Sequence, residues 1–233
     1  MTTHHKCHSL GTTQIADSGT ELPVVDTVTD ESFEVTIHNS TTPWRGRVFE
    51  MRTDSITLPG STQVLTRDYV KHPGAVAIVA LRQGSDGHDD ICLVSQYRHP
   101  VRKMLWEVPA GLLDVSGESY VQAAQRELKE EADLEAKTWH VLLDFYTTPG
   151  GCNEGLRVFL ARDITTVPPE QRHQREEEEK DMKAVWIHLE DAYQAVCEGR
   201  LHNPSAIVGI LSTMAARERN WQTLRPADAP WQR

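Results

Sequence analysis

The chain has 233 residues, 39% of them hydrophobic, with 24 Lys and Arg against 34 Asp and Glu, a formal net charge of −10. That length suits one large domain, or a small one joined to a larger, and the negative balance repels polyphosphate backbones, so nucleic acid is excluded as a default partner. No apolar run is long enough to span a bilayer, the polar start MTTHHKCHSL has no signal-peptide core, and Cys7, Cys92, Cys152 and Cys197 form no CxxC pair, which points to reduced thiols in a cytoplasm.

Residues 1–30 are rich in Thr, Ser, Asp and Glu without a period and read as a flexible lead-in. His4, His5, Cys7 and His8 have metal-ligand chemistry, although a solvated tail is the preferred reading. Residues 33–38 alternate as a half-buried strand does. Residues 47–58 and 62–70 predict two more strands, turned by Pro59-Gly60. Residues 31–71 are therefore expected to be a small antiparallel β domain. Within it Trp44 is either a stacking surface for a ligand or an anchor of the β unit.

The main domain is expected over 72–219. Residues 75–81 run apolar without alternation, as a strand covered on both faces would. Residues 83–90 are a polar loop, and strands follow at 91–97 and, briefly, 106–108. A helical period covers 118–132, and strands are expected at 139–146, 156–161 and 184–188. The polar stretch 165–180, with Pro168-Pro169 and four successive glutamates, is long for a compact domain, which favours a functional loop. A helix at 190–199 precedes Asn203-Pro204, an N-cap followed by proline at the first helical position. The last helix has Ile207, Val208, Ile210, Leu211 and Met214 on its apolar face, and 220–233 is left as a tail. The order of elements predicts an α/β or α+β fold with layers around one mixed sheet.

On a helix at ~100° per residue, Val121, Ala124, Leu128 and Ala132 face the sheet. Glu127 and Glu131, four apart, stack at the flank of that face, with Arg126 and Glu130 as a second pair beside them. Converging carboxylates repel unless a cation or protons neutralise them, and hard oxygen ligands favour Mg²⁺ or Mn²⁺. The helix alone also fits an ordinary solvated acidic face.

The surrounding spacing resembles the Nudix box, G-x5-E-x7-R-E-U-x-E-E-x-G-U, where U is a bulky aliphatic residue. Glu118, seven residues, then Arg126-Glu127-Leu128-Lys129-Glu130-Glu131-Ala132-Asp133-Leu134 match it in order. Two departures stand out. The interval from Gly111 to Glu118 is one residue longer, and Asp133 replaces the late glycine. Asp is among the few residues that tolerate the left-handed conformation that glycine supplies there. Gln96-Tyr97-Arg98, the run from Trp106 to Asp114, and Thr148-Pro149-Gly150 further resemble the ADP-ribose pyrophosphatase branch, especially its actinobacterial members. Pro149 falls fifteen residues after Leu134. The similarity runs from Phe33 to Met214.

That resemblance implies a Nudix α/β/α sandwich with a mixed sheet, preceded by a small antiparallel β domain. By matching position, Glu127, Glu131 and the Ala110 carbonyl would bind metal, Mg²⁺ or Mn²⁺, with Glu130 as helper or second-metal ligand. Arg126 would orient the carboxylates and Glu118 would support the loop or the metal's waters. The general base would come from the late acidic loop, Glu179 first and Glu178 next, although a solvated charge run is the usual meaning of such a stretch. Arg67 and Arg98 would meet the phosphates, Leu112 would pack near the ligand, and Glu154 would bond the terminal ribose. The family also implies a homodimer acting on a nucleoside diphosphate sugar. The expected reaction takes ADP-ribose to AMP and ribose 5-phosphate. The rivals are another ADP-sugar, GDP-mannose or a dinucleoside polyphosphate as substrate, or a non-catalytic ADP-ribose sensor.

Overall fold

A computed structural model describes residue 22 and residues 24–174 and 182–231. The chain divides into Met1–Glu34 and Val35–Arg233. Described residues of the first unit form no strand or helix. Of the lead-in expected over 1–30, residues 1–21 and 23, with the His/Cys group, lie outside the described residues, as do Glu178 and Glu179.

The second unit opens with β1 (Thr36–Arg45), β2 (Glu50–Thr57) and β3 (Val64–Lys71), an antiparallel sheet in the order β1-β2-β3. β1 starts three residues later than the alternation suggested and runs seven residues further. Its register against β2 shifts twice, between Ile37 and Asn39 and between Thr41 and Trp44. Each irregularity breaks the period of two, so the alternation that marks a strand fades while the strand continues.

The larger sheet is built from β4 (Ala75–Gln83), β5 (Asp89–Arg98), β6 (Lys103–Glu107), β7 (Ala110–Leu112), β8 (Leu134–Tyr146), β9 (Gly155–Thr166), β10 (Lys183–His188) and β11 (Arg225–Pro226). Its main path is β10-β5-β4-β9-β8-β11, with β6 paired to β5 and β7 to β4. The β4–β9 pairing is parallel and the others antiparallel, giving the mixed sheet expected.

β4 explains the layering. Val76, Ile78 and Ala80 join Ala123, Ala124 and Leu128 of α1 (Tyr120–Ala132) in one core. Ala77, Val79 and Leu81 join Leu189, Ala192, Ala206 and Ile210 of α2 (Leu189–Cys197) and α3 (Pro204–Glu218) in the other. A strand buried on both faces has no polar side to alternate with, hence its unbroken apolar run. On α3, Gly209 lets the helix approach the sheet: an added Cβ would stand 2.9 Å from Val79 Cγ2.

The segment expected as a tail supplies β11, which pairs Arg225 with Val141 and Pro226 with His140. It is held by a buried ion pair. Arg157, 1% exposed, donates from Nε and Nη2 to both carboxylate oxygens of Asp144 (2.7 and 3.0 Å) and from Nη1 to the Ala229 carbonyl (2.7 Å). Arg225 donates to the same aspartate at 2.9 Å. Breaking such a pair from one side leaves a charge in the core. Asp144→Ala is therefore expected to cost about 3–5 kcal/mol of folding stability, read as a lower urea midpoint at unchanged m-value. A loss within the scatter of surface substitutions would show that Arg157 is compensated by other means.

Candidate functional site

Helix α1 is fixed at both ends by local chemistry. Ser119 and Gln122 form a reciprocal capping box: the Ser119 side chain accepts from Gln122 N, and Gln122 Oε1 accepts from Ser119 N at 2.9 Å. The helix therefore begins at Tyr120, two residues after the predicted start, which leaves Glu118 in the preceding loop. At the far end Asp133 has φ 54° and ψ 37°, the left-handed cap that the missing glycine would supply, and its N–H donates to Leu128 O and Lys129 O.

With its ends set, the helix buries an acidic pair. Glu127 is 9% and Glu131 5% exposed, while Leu128, Ala123 and Ala124 are fully enclosed. Val121, expected on the sheet-facing side, is only partly buried, and Ala123 takes the deeper place. Glu131 Oε2 accepts from the backbone N–H of Ala110 at 2.9 Å. Ala110 and Gly111 lie on β7, opposite Ala77 and Val76 of β4. Gly111 leaves the space that Glu127 fills: a Cβ there would lie 1.9 Å from Glu127 Cδ.

Arg126 meets the negative charge from the other side. It binds both oxygens of Glu118, Nε to Oε1 and Nη2 to Oε2, each at 3.1 Å. Its Nη1 donates to Glu130 Oε2 at 3.2 Å and makes a short hydrogen bond to Glu127. The hydrogen bond to Glu118 comes first among the interactions that raise the Arg126 pKa above the usual arginine range. Arg126 stays charged and ties three acidic residues together.

No three acidic, histidine or cysteine side chains among the described residues already form a cation cage. The donor chemistry nevertheless fits a hard divalent cation: carboxylates from Glu127, Glu130 and Glu131 gather around one helical turn, and the Gly111 cradle admits Glu127 beside β7. Such an arrangement can hold a metal against an anionic substrate.

The other predicted residues are spread around β5, β7 and the three-stranded sheet. Arg98, at the end of β5, is clamped by Glu107, with Nε–Oε1 at 2.8 Å and Nη2–Oε2 at 2.7 Å. Glu107 is 1% exposed, and the sequence pattern assigns it no role. A carboxylate in the short strand before Pro109 was the signal available. Leu112 lies half-buried on β7. Glu154 accepts from the Thr147 hydroxyl at 2.7 Å and stands 3.5 Å from His72 Nδ1. That loop is tied to β3, since Val70 N donates to Gly151 O and Asn153 N to Val70 O. Arg67 is exposed on β3 and donates to the Thr66 carbonyl. Trp44 is half-exposed and packs beside Phe49, ring centroids 5.6 Å apart, over Gly46.

Comparison with known proteins places residues 71–204 in the NUDIX domain. Over 194 residues the chain is 42% identical to the ADP-ribose pyrophosphatase of Mycobacterium tuberculosis, covering 83% of this chain and 89% of that protein. The methanol dehydrogenase activator of Bacillus methanolicus is 30% identical over 165 residues, 71% of this chain and 84% of that one. In fold the chain is similar to the crystal structure of an ADP compounds hydrolase, with a TM-score of 0.61 at 19% identity, covering 82% of this chain and 98% of that one.

The cradle gives a direct test. Gly111→Ala meets only the far end of a flexible side chain, so the fold should survive while the Glu127 carboxylate is pushed out. The expected result is a circular dichroism spectrum like that of the wild type with Mn²⁺ affinity, measured by electron paramagnetic resonance, reduced roughly tenfold or more. Unchanged Mn²⁺ affinity would remove Glu127 from the metal-binding set.

Proposed function

The chain belongs to the Nudix family, and on that premise we propose that it hydrolyses the pyrophosphate of ADP-ribose, yielding AMP and ribose 5-phosphate. The observation that carries this reading is the extent of the similarity to the mycobacterial ADP-ribose pyrophosphatase, 42% identity over 194 residues, in a chain that carries every charged position of the box. The buried pair Glu127 and Glu131 beside Ala110 and Gly111 supports it.

In this reading Glu127, Glu131 and the Ala110 carbonyl hold a divalent cation, Mg²⁺ or Mn²⁺, with Glu130 as a further donor. The cation supplies charge neutralisation and polarisation of a phosphoryl oxygen. Arg126 keeps the carboxylates in place through its fork with Glu118. Arg98 presents its guanidinium to a phosphate in the plane that Glu107 sets, and Arg67 contributes a second positive charge. Glu154 meets the terminal ribose and Leu112 lies against the ligand. A glutamate of the late acidic loop, Glu179 ahead of Glu178, takes the proton from the attacking water. Hydrolysis then rests on positioning and electrostatics more than on covalent chemistry.

The same reading divides the chain into a lead-in (1–30), a β domain for dimerisation and substrate (31–71), a hydrolase domain (72–219) and a terminal segment (220–233). A cytoplasmic enzyme fits the free thiols of Cys92, Cys152 and Cys197. Among the described residues no helix is long and apolar enough to cross a membrane.

A panel of ADP-ribose, other ADP-sugars, GDP-mannose and dinucleoside polyphosphates, each with Mg²⁺ and with Mn²⁺, tests the substrate. ADP-ribose should give the highest kcat/KM; a higher value for GDP-mannose would replace the substrate and keep the family. Glu127→Gln and Glu131→Gln should each lower kcat by roughly 100- to 1000-fold while binding falls less. Metal-dependent turnover also separates this reading from a sensor, or from a purely activating role such as the name of the Bacillus methanolicus relative describes.

We also propose a homodimer built through the three-stranded sheet. Ile37, Trp44 and Val64 are 56%, 52% and 59% exposed there, apolar surface that a second copy would cover. Sedimentation of the full chain should give twice the monomer mass. A monomer at micromolar concentration would overturn the assignment.

A further inference from the structure

On the side of the sheet covered by α3, opposite the one covered by α1, Arg162 of β9 and Arg217 of α3 line one cavity. A cavity of about 490 Å³ lies between the ends of β4 and β9 and the end of α3, lined in part by Arg82, Gln83, Arg162, Asp163, Arg217 and Trp221. This is within the size range of small-molecule sites.

The three arginines differ in one respect. Arg82 pairs with Asp90 at 3.2 Å and lies 4.0 Å from the Trp186 ring. Arg217 pairs with Asp89 at 3.3 Å and with Glu190 at 2.7 Å. Arg162 has no ion-pair partner among the described residues, and its Nε, shielded from solvent, has no acceptor. Its guanidinium lies 5.2 Å from the ring of Trp221. The two carboxylates in the cavity wall are already engaged, Asp89 by Arg217 and Asp163 by the Thr138 hydroxyl.

A second group repeats the pattern. His140 lies two residues beyond Thr138, the partner of Arg162 across β8–β9, and so shares its side of the sheet. Its Nδ1 is also buried without a partner. Burial, with the charge of Arg162, holds the His140 pKa below the usual range, so the imidazole stays neutral and adds no competing charge. A buried polar atom without a partner is unfavourable, and here two such atoms share one neighbourhood. The wall also holds unusual backbone: Asp163 and Trp221 have positive φ, at 57° and 63°. For a residue as large as Trp221 that conformation needs support from its surroundings.

We propose that this cavity is a second ligand site, for a small molecule bearing a phosphate group, with Arg162 as its anion anchor and Trp221 as its apolar wall. An arriving phosphate oxygen supplies the acceptor that Arg162 lacks, while Arg217 adds positive charge at the rim. The site is separate from the carboxylates of α1, so occupancy does not depend on the hydrolytic reading.

The test follows the Trp221 indole N–H in nitrogen-15-labelled full-length protein, its resonance identified by loss in Trp221→Phe. Inorganic phosphate and AMP are titrated separately. A saturable shift of that resonance is expected, weakened about tenfold or more in Arg162→Gln and less in Arg162→Lys, which keeps the charge and loses the fork. Tighter binding of AMP identifies the occupant as a phosphate ester, and equal binding identifies free phosphate. Should the glutamine variant fail to fold, the lysine variant carries the comparison. No saturable shift with either probe, or the same affinity in the folded Arg162 variants, overturns the proposal.

Discussion

Two carboxylates one turn apart on a buried helical face are the constraint around which this chain is arranged. Moving an unpaired carboxylate into a protein interior costs several kcal/mol even after relaxation. Glu127 and Glu131 bear that cost together on α1. Compensation comes from sources close in sequence or space, among them the Ala110 N–H, the open cradle at Gly111 and the Arg126 guanidinium. Arg126 is itself locked by Glu118 from the loop before the helix. These contacts offset part of the charge, and with one guanidinium beside four carboxylates the turn stays net negative, which suits it to a cation.

The balance works only if α1 and β7 are held at a fixed separation, and β4 does this. Its first three residues pair with β7, its last three with β5, and its other edge runs parallel to β9. One face of β4 packs on α1 and the other on α3, where Gly209 allows close approach. A shift of β4 would move Ala110 and Gly111 relative to Glu127 and Glu131. The apolar core and the polar site therefore depend on the same strand, and close packing transmits errors in one to the other.

The part of this plan that was legible in the sequence is the part encoded by short spacing. The helix, its acidic flank, the Asp133 cap, the Asn203-Pro204 start of α3 and the two-faced β4 all follow from residues within a few positions of one another. What was missed depends on partners far along the chain. β7 has three residues, too few for any period, and exists because β4 offers it hydrogen bonds. The Glu107 clamp on Arg98 and the Arg157–Asp144 pair are set by tertiary geometry, and single charged residues in strands give no warning of them. β11 lay in a segment read as a tail because Pro226 and its neighbours have no strand pattern. β1 was placed short because its irregular register hid its length.

The charge distribution resolves an apparent conflict between a net charge of −10 and a pyrophosphate substrate. Arg98 is braced by Glu107 and Arg126 by Glu118, Glu127 and Glu130. A braced guanidinium loses less conformational freedom on meeting a ligand, but its carboxylate cancels most of its long-range field. Attraction over many ångströms is then weak, and recognition falls to contacts made at hydrogen-bond distance and to a cation held by the acidic turn. This architecture trades steering for placement. For phosphoryl chemistry, where catalysis is chiefly the placing of charge against developing charge, the trade favours a site whose arginines are rigidly paired over one that is strongly positive.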